Sequence, residues 1–304
     1  MPRRMPVTYA GGVKLREMLS RMRVLAALVA PALRGQERRS EVFGDAEAYE
    51  RFMGRWSSIL APQLVDFTDP PDMGRVLDVG SGTGALAFSV AKLNPHCQVL
   101  GIDPSKEYVG YANSRNPFPK RARFQVGDAQ HLQFSDAMFE SSLSLLVFNF
   151  IPDRKMALDE VSRVTKPAGR ISATVWDYGA GMRMLRVFWD GAVTVDPSAE
   201  RFDELHMPLC RAGELGNFWK QGGLEQVEER PLDVTMRFES FADYWEPFLL
   251  GQGPAGAYLR NLDGRHRQAL RSEVKRRLAL KAEDAPFSLP ARAWAVRGIV
   301  RSHR

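Results

Sequence analysis

The chain has 304 residues, of which 44% are hydrophobic and 26% charged, a composition that indicates one large α/β domain or one domain with an insertion. The formal net charge is +6, but residues 1–40 hold nine basic and two acidic residues, so the rest of the chain is close to neutral and lacks the basic surface that nucleic-acid binding requires. The two cysteines, Cys97 and Cys210, exclude a disulfide framework and a cysteine-rich metal site, and they favour a reducing compartment such as the cytoplasm. The sequence contains no run of 18 apolar residues and therefore predicts no membrane span.

Residues 1–40 have no clear hydrophobic period and are left out of the predicted fold. We interpret them as a basic, flexible extension or as the product of an over-long start. The segment is also rich in arginine and poor in acids, with a short apolar stretch at 24–33, which leaves an organellar transit peptide or a weak secretion signal as the alternative. Residues 41–304 are expected to form the domain.

From residue 45 onward, hydrophobic periods and chain breakers predict a regular succession of helices and strands. A helix over 45–67 is followed by a break at 69–72. The elements that follow are a strand at 75–79, a helix at 85–93, a strand at 98–102, a helix at 105–114 with Ser105 as N-cap, strands at 122–126 and 142–148, a helix at 154–164 and a strand at 170–176.

The region after residue 177 is less regular. Its pattern indicates helical structure over 178–222, an extended segment over 224–238, further helices in an aromatic-rich stretch and in a basic segment at 262–280, and a strand over 293–300. Strands that alternate with helices at this spacing predict a parallel sheet with right-handed crossovers, in which ligands bind at the carboxyl ends of the strands. We therefore expect a ligand-binding core over 70–177, a lid and insertion over about 178–290, and a closing strand at 293–300.

The strongest motif follows the first predicted strand and runs from Asp78 to Gly84, with glycines at Gly80, Gly82 and Gly84. Such glycines allow a tight turn and a close approach of the backbone to a ligand, and the next helix offers free N–H groups. The motif is ambiguous by itself, because glycines at 80 and 82 with Ala85 also satisfy the loose dinucleotide fingerprint.

Three aspartates follow or end successive strands, and two of them shift the interpretation away from a dinucleotide. Asp78 precedes the glycines, where a carboxylate disfavours a pyrophosphate but suits an α-amino group and a sulfonium-bearing ligand. Asp128, after the third strand, can accept a hydrogen bond from an adenine amino group. Asp103, which ends the second strand, can bind two ribose hydroxyls in either kind of cofactor, and so supports a nucleoside without identifying it.

With these motifs in view, the chain resembles class I S-adenosylmethionine-dependent methyltransferases, and within them the ubiquinone/menaquinone-biosynthesis-like (type 11) group. The resemblance covers about residues 75–177, and its motifs are the glycine loop, 101–105, 127–132, and 148–153 with Leu158, Glu160, Val164, Pro167 and Gly169. Residues 49–57 also resemble an N-terminal helix of bacterial members. Glu140 departs from the aspartate that many relatives carry at the start of the fourth strand.

The resemblance implies a Rossmann-like, seven-stranded, mostly parallel sheet with an antiparallel last strand, helices on both faces and a helical lid insertion. It also implies S-adenosyl-L-methionine as the cofactor. The residues expected to bind it are Asp78, Gly80, Ser81, Gly82 and Gly84 for the methionine part, Asp103 with Pro104 for the ribose, Asp128 with Ala129 for the adenine, and Leu145 against the cofactor. Tyr49, Arg55 and Trp176 are expected to border the substrate pocket.

Methyl transfer requires mainly alignment of the acceptor and exclusion of water, and it requires a base only if the acceptor must lose a proton. The sequence identifies no base and no metal ligands; Asn149, Tyr178 and His206 are the candidates near the expected acceptor site. The aromatic residues of the insertion either line a pocket for a small, apolar or aromatic acceptor or form ordinary core. A non-catalytic binding protein of the same fold and an NAD(P)-dependent oxidoreductase remain the alternatives, and the oligomeric state is open.

Overall fold

Strands and helices alternate through residues 45–302, the part of the chain that the computed structural model describes. The features expected in residues 1–40 lie outside this part. The strands are β1 (Met73–Val79), β2 (His96–Asp103), β3 (Ala122–Val126), β4 (Phe139–Leu145), β5 (Thr165–Trp176), β6 (Glu225–Phe238) and β7 (Phe287–Ile299). The helices are α1 (Ala46–Tyr49), α2 (Arg55–Thr68), α3 (Ala85–Leu93), α4 (Lys106–Ser114), α5 (Arg154–Val164), α6 (Arg183–Val195), α7 (Glu214–Gln221), α8 (Phe241–Leu249), α9 (Gly253–Asn261) and α10 (Gly264–Leu278).

The strands of the described chain form one seven-stranded sheet in the order β3-β2-β1-β4-β5-β7-β6. Each pairing from β3 to β5 is parallel, whereas β7 runs antiparallel to both β5 and β6. The predicted fold class, with its antiparallel last strand, is confirmed. The strand order reverses between β1 and β4, and a ligand crevice is expected at the carboxyl ends of the strands near this point.

The boundaries of β4 differ from the prediction of a strand over 142–148. The strand occupies Phe139–Leu145, and the chain leaves it at Leu146, whose φ of 63° is left-handed. The apolar residues that continued the predicted strand form a short 3-10 turn, Phe148–Phe150. Small serines form the middle of β4, and Ser144 Oγ is satisfied by donating to the Val79 carbonyl at 2.8 Å. Their low hydrophobicity explains why the pattern placed the strand too late.

The predicted N-terminal helix is present but contains one wide turn. Asp45 caps it by accepting a hydrogen bond from the Ala48 N–H at 2.9 Å, and residues Glu50–Gly54 then form a π-helical turn between α1 and α2. Single π turns inside helices are frequent at functional sites. The predicted N-cap of α4 is also confirmed, since Ser105 Oγ accepts from the Tyr108 N–H.

The insertion after β5 contains helices and one strand of the sheet. Strand β6 lies within the region expected to be a lid, and it pairs along its length with β7 at the edge of the sheet. The aromatic side chains of the insertion pack mainly against one another: Phe188 stacks on Phe248 with 4.6 Å between ring centroids and meets Trp189 edge-on at 5.2 Å. All three are buried, so they belong to the core of the insertion.

Candidate cofactor site

The loop after β1 is shaped by three glycines in left-handed conformations. Gly80, Gly82 and Gly84 have φ angles of 73°, 51° and 100°, which residues with a Cβ rarely adopt. The N–H groups of Gly80 and Ser81 both donate to the Ile102 carbonyl at 2.8 Å, and these bonds hold the loop against the end of β2. The chain then enters α3 with Gly84 as its N-cap, so the loop ends at a helix N-terminus.

The three glycines differ in what surrounds them. A Cβ on Gly80 would lie 2.5 Å from Val147 Cγ1, and one on Gly84 would lie 2.7 Å from the Phe88 ring, so both positions are constrained by packing. A Cβ on Gly82 would meet no heavy atom within 4 Å. Gly82 therefore faces open space beside the loop, as expected where a backbone is to approach a ligand.

The Asp103 carboxylate connects this loop to the end of β2. Its Oδ2 accepts from the Gly82 N–H and its Oδ1 accepts from the Ser105 N–H, both at 2.9 Å. The side chain is buried at 8% exposure. Asp103 thus fixes the position of the open glycine and of the turn into α4 with one carboxylate.

Asp78 lies inside β1 and is almost completely buried, with 1% of its surface exposed. Its Oδ2 accepts from the Ala87 N–H in the first turn of α3 at 3.0 Å, whereas no described group is a hydrogen-bond partner of its Oδ1. Burial raises the pKa of Asp78 to about 8, the Ala87 hydrogen bond lowers it, and the nearby charge of Asp103 raises it further. A cationic group placed beside Asp78 would favour its ionised form.

Asp128 follows β3 at the same edge of the sheet. Gly127, the residue before Asp128, donates its N–H to the Asp103 carbonyl at 3.1 Å. The Asp128 Oδ1 accepts from the backbone and side-chain amides of Gln130 at 2.9 and 3.0 Å. The carboxylate is half-buried, as is Ala129. The three aspartates therefore stand at the carboxyl ends of three adjacent strands, as the sequence predicts.

The remaining residues expected at the cofactor lie around this edge. Ser81 is buried and its Oγ has no hydrogen-bond partner among the described groups. Leu145 is the buried last residue of β4, and Pro104 is exposed directly after β2. The structure brings these residues to the same edge of the sheet as the glycine loop.

Two tyrosines and a glutamine lie close to Asp103 on the side of the N-terminal helix. Tyr49 and Tyr108 contact each other with 5.3 Å between ring centroids, and Tyr108 Oη donates to Gln252 Oε1 at 3.5 Å. Removal from water raises the pKa of Tyr49 to about 12 and also raises that of Tyr108, and the negative charge of Asp103 contributes to both increases. Sequence reasoning proposed Tyr49 but missed Tyr108, which follows the N-cap of α4 by three residues, and Gln252, which no motif indicates.

Arg55 and Trp176 are the other two residues expected to border the substrate pocket. The Arg55 guanidinium lies 4.2 Å above the Trp56 ring and donates to Asp243 Oδ1 at 2.8 Å, which joins α2 to α8 beside a surface groove. Trp176 is the buried last residue of β5, opposite Ala293 of β7. The contacts of Arg55 therefore indicate a structural role at a helix seam.

Two of the three candidates near the acceptor site come together. Asn149, in the 3-10 turn after β4, lies beside the Tyr178 hydroxyl, and neither of its amide atoms makes a hydrogen bond of normal geometry to a described group. Glu204 and Cys210 lie close enough to Tyr178 to influence its pKa. His206 is exposed and does not join this cluster. Glu204 was missed because nothing in the sequence marks it as buried.

Residues 45–302 hold neither a candidate membrane span nor a candidate metal site. None of the described helices is long and apolar enough to cross a membrane. No group of three or more histidine, cysteine, aspartate or glutamate side chains in this part of the chain could hold a metal ion.

Comparison with known proteins gives a family match for the part of the chain that holds the glycine loop and the three aspartates. Residues 77–173 match the family profile described as a methyltransferase domain. The chain is 34% identical over 101 residues to the ubiquinone/menaquinone biosynthesis C-methyltransferase of Geotalea uraniireducens, covering 32% of this chain and 43% of that protein. It is 35% identical over 97 residues to the demethylmenaquinone methyltransferase of Thermotoga maritima, covering 32% and 41%. The match thus spans about two fifths of the length of these relatives.

A solved structure extends the likeness of the fold. Phosphoethanolamine N-methyltransferase 2 of Haemonchus contortus, solved with phosphomonomethylethanolamine and S-adenosylhomocysteine, aligns with a TM-score of 0.53 at 19% identity, covering 88% of this chain and 59% of that one. The matched residues 77–173 include the glycine loop and Asp78, Asp103 and Asp128. Residues 77–173 therefore match the methyltransferase family and are similar to enzymes of ubiquinone and menaquinone biosynthesis, and the fold of the chain resembles that of a solved methyltransferase.

Proposed function

We propose that this protein transfers a methyl group from S-adenosyl-L-methionine to a small, apolar or aromatic molecule. The observation that carries the proposal is the position of the glycine loop, Asp78, Asp103 and Asp128 at the carboxyl ends of the adjacent strands β1, β2 and β3, with Asp103 bonded to the loop at Gly82. The family match over residues 77–173 supports the same reaction.

The residues of the site fit the cofactor, which supplies a methyl group bound to a positively charged sulfur. Asp78 Oδ1 is a buried acceptor without a partner among the described groups, and the α-amino group of the cofactor would provide the missing positive charge and donors. The open space beside Gly82 admits the ligand to the backbone. Asp103 would bind the ribose hydroxyls, and Asp128 with Ala129 the adenine.

The chain's own part in the reaction is to align the reactants and to exclude water. Tyr49 and Tyr108 stand beside Asp103, where they would cover the nucleoside. Gln252 accepts a hydrogen bond from Tyr108 and so connects the two tyrosines to the insertion. In a site without water, oriented reactants need little further help, because the methyl group is already activated by the charge on sulfur.

The expected acceptor follows from the side chains near the ends of β4 and β5. Asn149 and Tyr178 supply polar atoms there, and the buried apolar residues Leu145, Leu146 and Trp176 lie at or just beyond the ends of the same strands. A few convergent polar groups in an apolar surrounding favour a small organic molecule. The relatives named for ubiquinone, menaquinone and demethylmenaquinone support an apolar acceptor.

The charge distribution and the two cysteines bear on the partners and on the cellular compartment. We propose no nucleic-acid partner, because the excess of positive charge lies in 1–40 and the rest of the chain is close to neutral. The two cysteines are both buried and free, and this supports a reducing compartment such as the cytoplasm.

Two measurements test the proposal. Titration calorimetry should show saturable binding of S-adenosylmethionine and none of NAD. Asp103→Ala should abolish that binding, whereas Asp159→Ala, an exposed aspartate on α5, should leave it unchanged. Incubation of small-molecule extracts with methyl-labelled cofactor should then give a labelled product. Binding without label transfer to any fraction would instead indicate the non-catalytic binding protein, and binding of NAD alone the oxidoreductase.

A further inference from the structure

The side chain of Gln130 connects two loops that follow different strands. Gln130 lies after β3 in the loop that carries Asp128, and Asp153 lies after β4 at the start of α5. Gln130 Nε2 donates to Asp128 Oδ1 at 3.0 Å and to Asp128 Oδ2 at 3.1 Å. Gln130 Oε1 accepts from the Asp153 N–H at 3.0 Å. One amide therefore joins the residue expected at the adenine to the beginning of a helix.

The partners of Gln130 determine which end of its amide is which. An ionised carboxylate such as that of Asp128 can only accept hydrogen bonds, whereas the Asp153 N–H can only donate. The opposite orientation would set the amide oxygen against the carboxylate and the amide N–H groups against another N–H, and both contacts would be lost. Position 130 therefore needs a side chain of this length that ends in a donor and an acceptor, which is glutamine.

These contacts fix the plane of the Asp128 carboxylate. Gln130 reaches Oδ1 twice, through its backbone N–H at 2.9 Å and through Nε2, and it reaches Oδ2 through Nε2 as well. The two oxygens of a carboxylate offer about four acceptor positions, so Oδ2 keeps one for a donor outside the loop. Rotation of the carboxylate would break the bonds to Gln130. The direction of the remaining acceptor position is thus set by Gln130.

The anchor of the amide is a backbone group of a capped helix. Asp153 caps α5 by accepting from the Met156 N–H at 2.9 Å, and its own N–H is the donor to Gln130. The helix holds this N–H in place, so the amide of Gln130 cannot simply follow the Asp128 side chain when that side chain turns. The bridge therefore links the orientation of one carboxylate to a rigid element of the fold.

The rest of the loop is supported from α5 without Gln130. Arg163 donates to Glu160 through Nε and Nη2 at 2.7 and 2.8 Å, and to Asp136 at 2.7 Å. It also donates to the carbonyls of Leu132 and Phe134 at 2.9 and 2.8 Å, while Glu160 Oε2 accepts from the Leu132 N–H at 2.8 Å. Because these bonds do not involve the Gln130 side chain, its replacement should leave the loop folded.

Resting on the proposed function, we propose that Gln130 is a positioning residue for cofactor recognition, which directs the Asp128 carboxylate toward the amino group of the adenine ring. An amino group donates to a carboxylate, whereas a carbonyl oxygen at the same ring position would oppose it with a second acceptor. A site that requires a donor rejects an analogue that lacks it. Gln130 would therefore set the preference for adenine over hypoxanthine, in which a carbonyl oxygen replaces the amino group.

The test compares two ligands that differ at this ring position, S-adenosylhomocysteine and S-inosylhomocysteine, by titration calorimetry on the full-length protein. The wild-type protein should bind the adenine ligand at least about tenfold more tightly, as expected for one hydrogen bond to a charged group. Gln130→Met keeps the shape of the side chain but removes both of its contacts, and the preference should fall to about threefold or less. Gln125→Met, at an exposed glutamine of β3, is the matched control and should keep the wild-type preference.

A double-mutant cycle distinguishes positioning from general damage to the loop. If Gln130 acts through Asp128, then Gln130→Met should leave the ratio of the two affinities unchanged once Asp128→Ala has removed the carboxylate. Gln130→Asn serves as a second variant, because it retains an amide that is one methylene too short to span both partners. It should lose the preference for adenine as Gln130→Met does.

The outcomes separate this inference from the proposed function. If the wild-type protein binds neither ligand, the proposed function itself fails. If it binds S-inosylhomocysteine as tightly as S-adenosylhomocysteine or more tightly, the inference is overturned. Variants at Gln130 that weaken both ligands by the same factor and keep the wild-type ratio would show only a structural role, and they would overturn it as well. The same holds if Gln130→Met still changes the ratio in the Asp128→Ala protein, since that effect could not pass through Asp128.

Discussion

Replacing Asp78 with asparagine should make the protein more stable and less able to bind its cofactor. Asp78 is buried in β1 beside the first turn of α3, and its pKa rises from 3.8 to about 8 mainly because burial disfavours its charge. At about pH 7 the folded chain holds a proton that the unfolded chain releases, which costs about 4 kcal/mol of stability. The asparagine side chain carries no charge to desolvate, and its oxygen can still accept the Ala87 N–H.

The direction of the pH dependence follows from this raised pKa. A carboxyl group that binds its proton more tightly when folded destabilises the fold as pH rises above the unfolded value, from about 4 to about 8, and no further above that. Urea unfolding, followed by circular dichroism at about pH 5 and about pH 8, measures the loss in wild type and in Asp78→Asn. The variant should lose about 2–4 kcal/mol less across this interval. Equal losses in both proteins would refute the reasoning.

Cofactor binding should depend on the same ionisation of Asp78. If Asp78 faces the α-amino group, binding favours its ionised form and releases a proton at about pH 7. Calorimetry in buffers of different ionisation enthalpy measures that proton. Asp78→Asn should release none from this group and should bind at least about tenfold more weakly, or ~1.4 kcal/mol. Proton release that is unchanged in the variant would assign the proton to another group.

Three further variants probe the site and its surroundings. Gly82→Val should fold with a loss of about 1–2 kcal/mol from its left-handed backbone, because its side chain meets open space, yet it should weaken cofactor binding at least about a hundredfold in calorimetry. Arg55→Ala should cost about 1 kcal/mol in urea unfolding through the loss of its partly exposed contact with Asp243, and cofactor affinity should be unchanged. Arg186→Met should cost about 3–5 kcal/mol because Asp203 is left buried without its cation, and adding Asp203→Leu should recover most of that loss.

The sequence predicts the sheet well because its connections are short and marked by glycine, proline and capping residues. The helix at 85–93, the strand at 122–126 and the helix at 154–164 agree with the structure residue by residue. The fourth strand does not, because buried serines resemble a loop in a hydrophobicity pattern. The hydroxyls of Ser142 and Ser144 are satisfied by partners on other strands, which a local pattern cannot show.

The candidate cofactor site was predictable for the same reason that the sheet was. The carboxyl ends of parallel strands lie at one edge, so residues that follow successive strands converge there even when 25 positions separate them, as Asp78 and Asp103 do. Tyr108, Gln252 and Glu204 reach their positions through tertiary packing, and no sequence period records that. The expectation for Arg55 rested on its neighbourhood in the chain, which does not reveal its hydrogen bond to Asp243 at the seam between α2 and α8.

The most direct test of the central claim is a crystal structure of the protein with S-adenosylhomocysteine. We expect the nucleoside to lie across the ends of β1, β2 and β3, with its ribose on Asp103, its adenine amino group near Asp128 and its amino-acid part between Asp78 and Gly82. Ligand density away from this edge, or three carboxylates that share no contact with one bound molecule, would contradict the account.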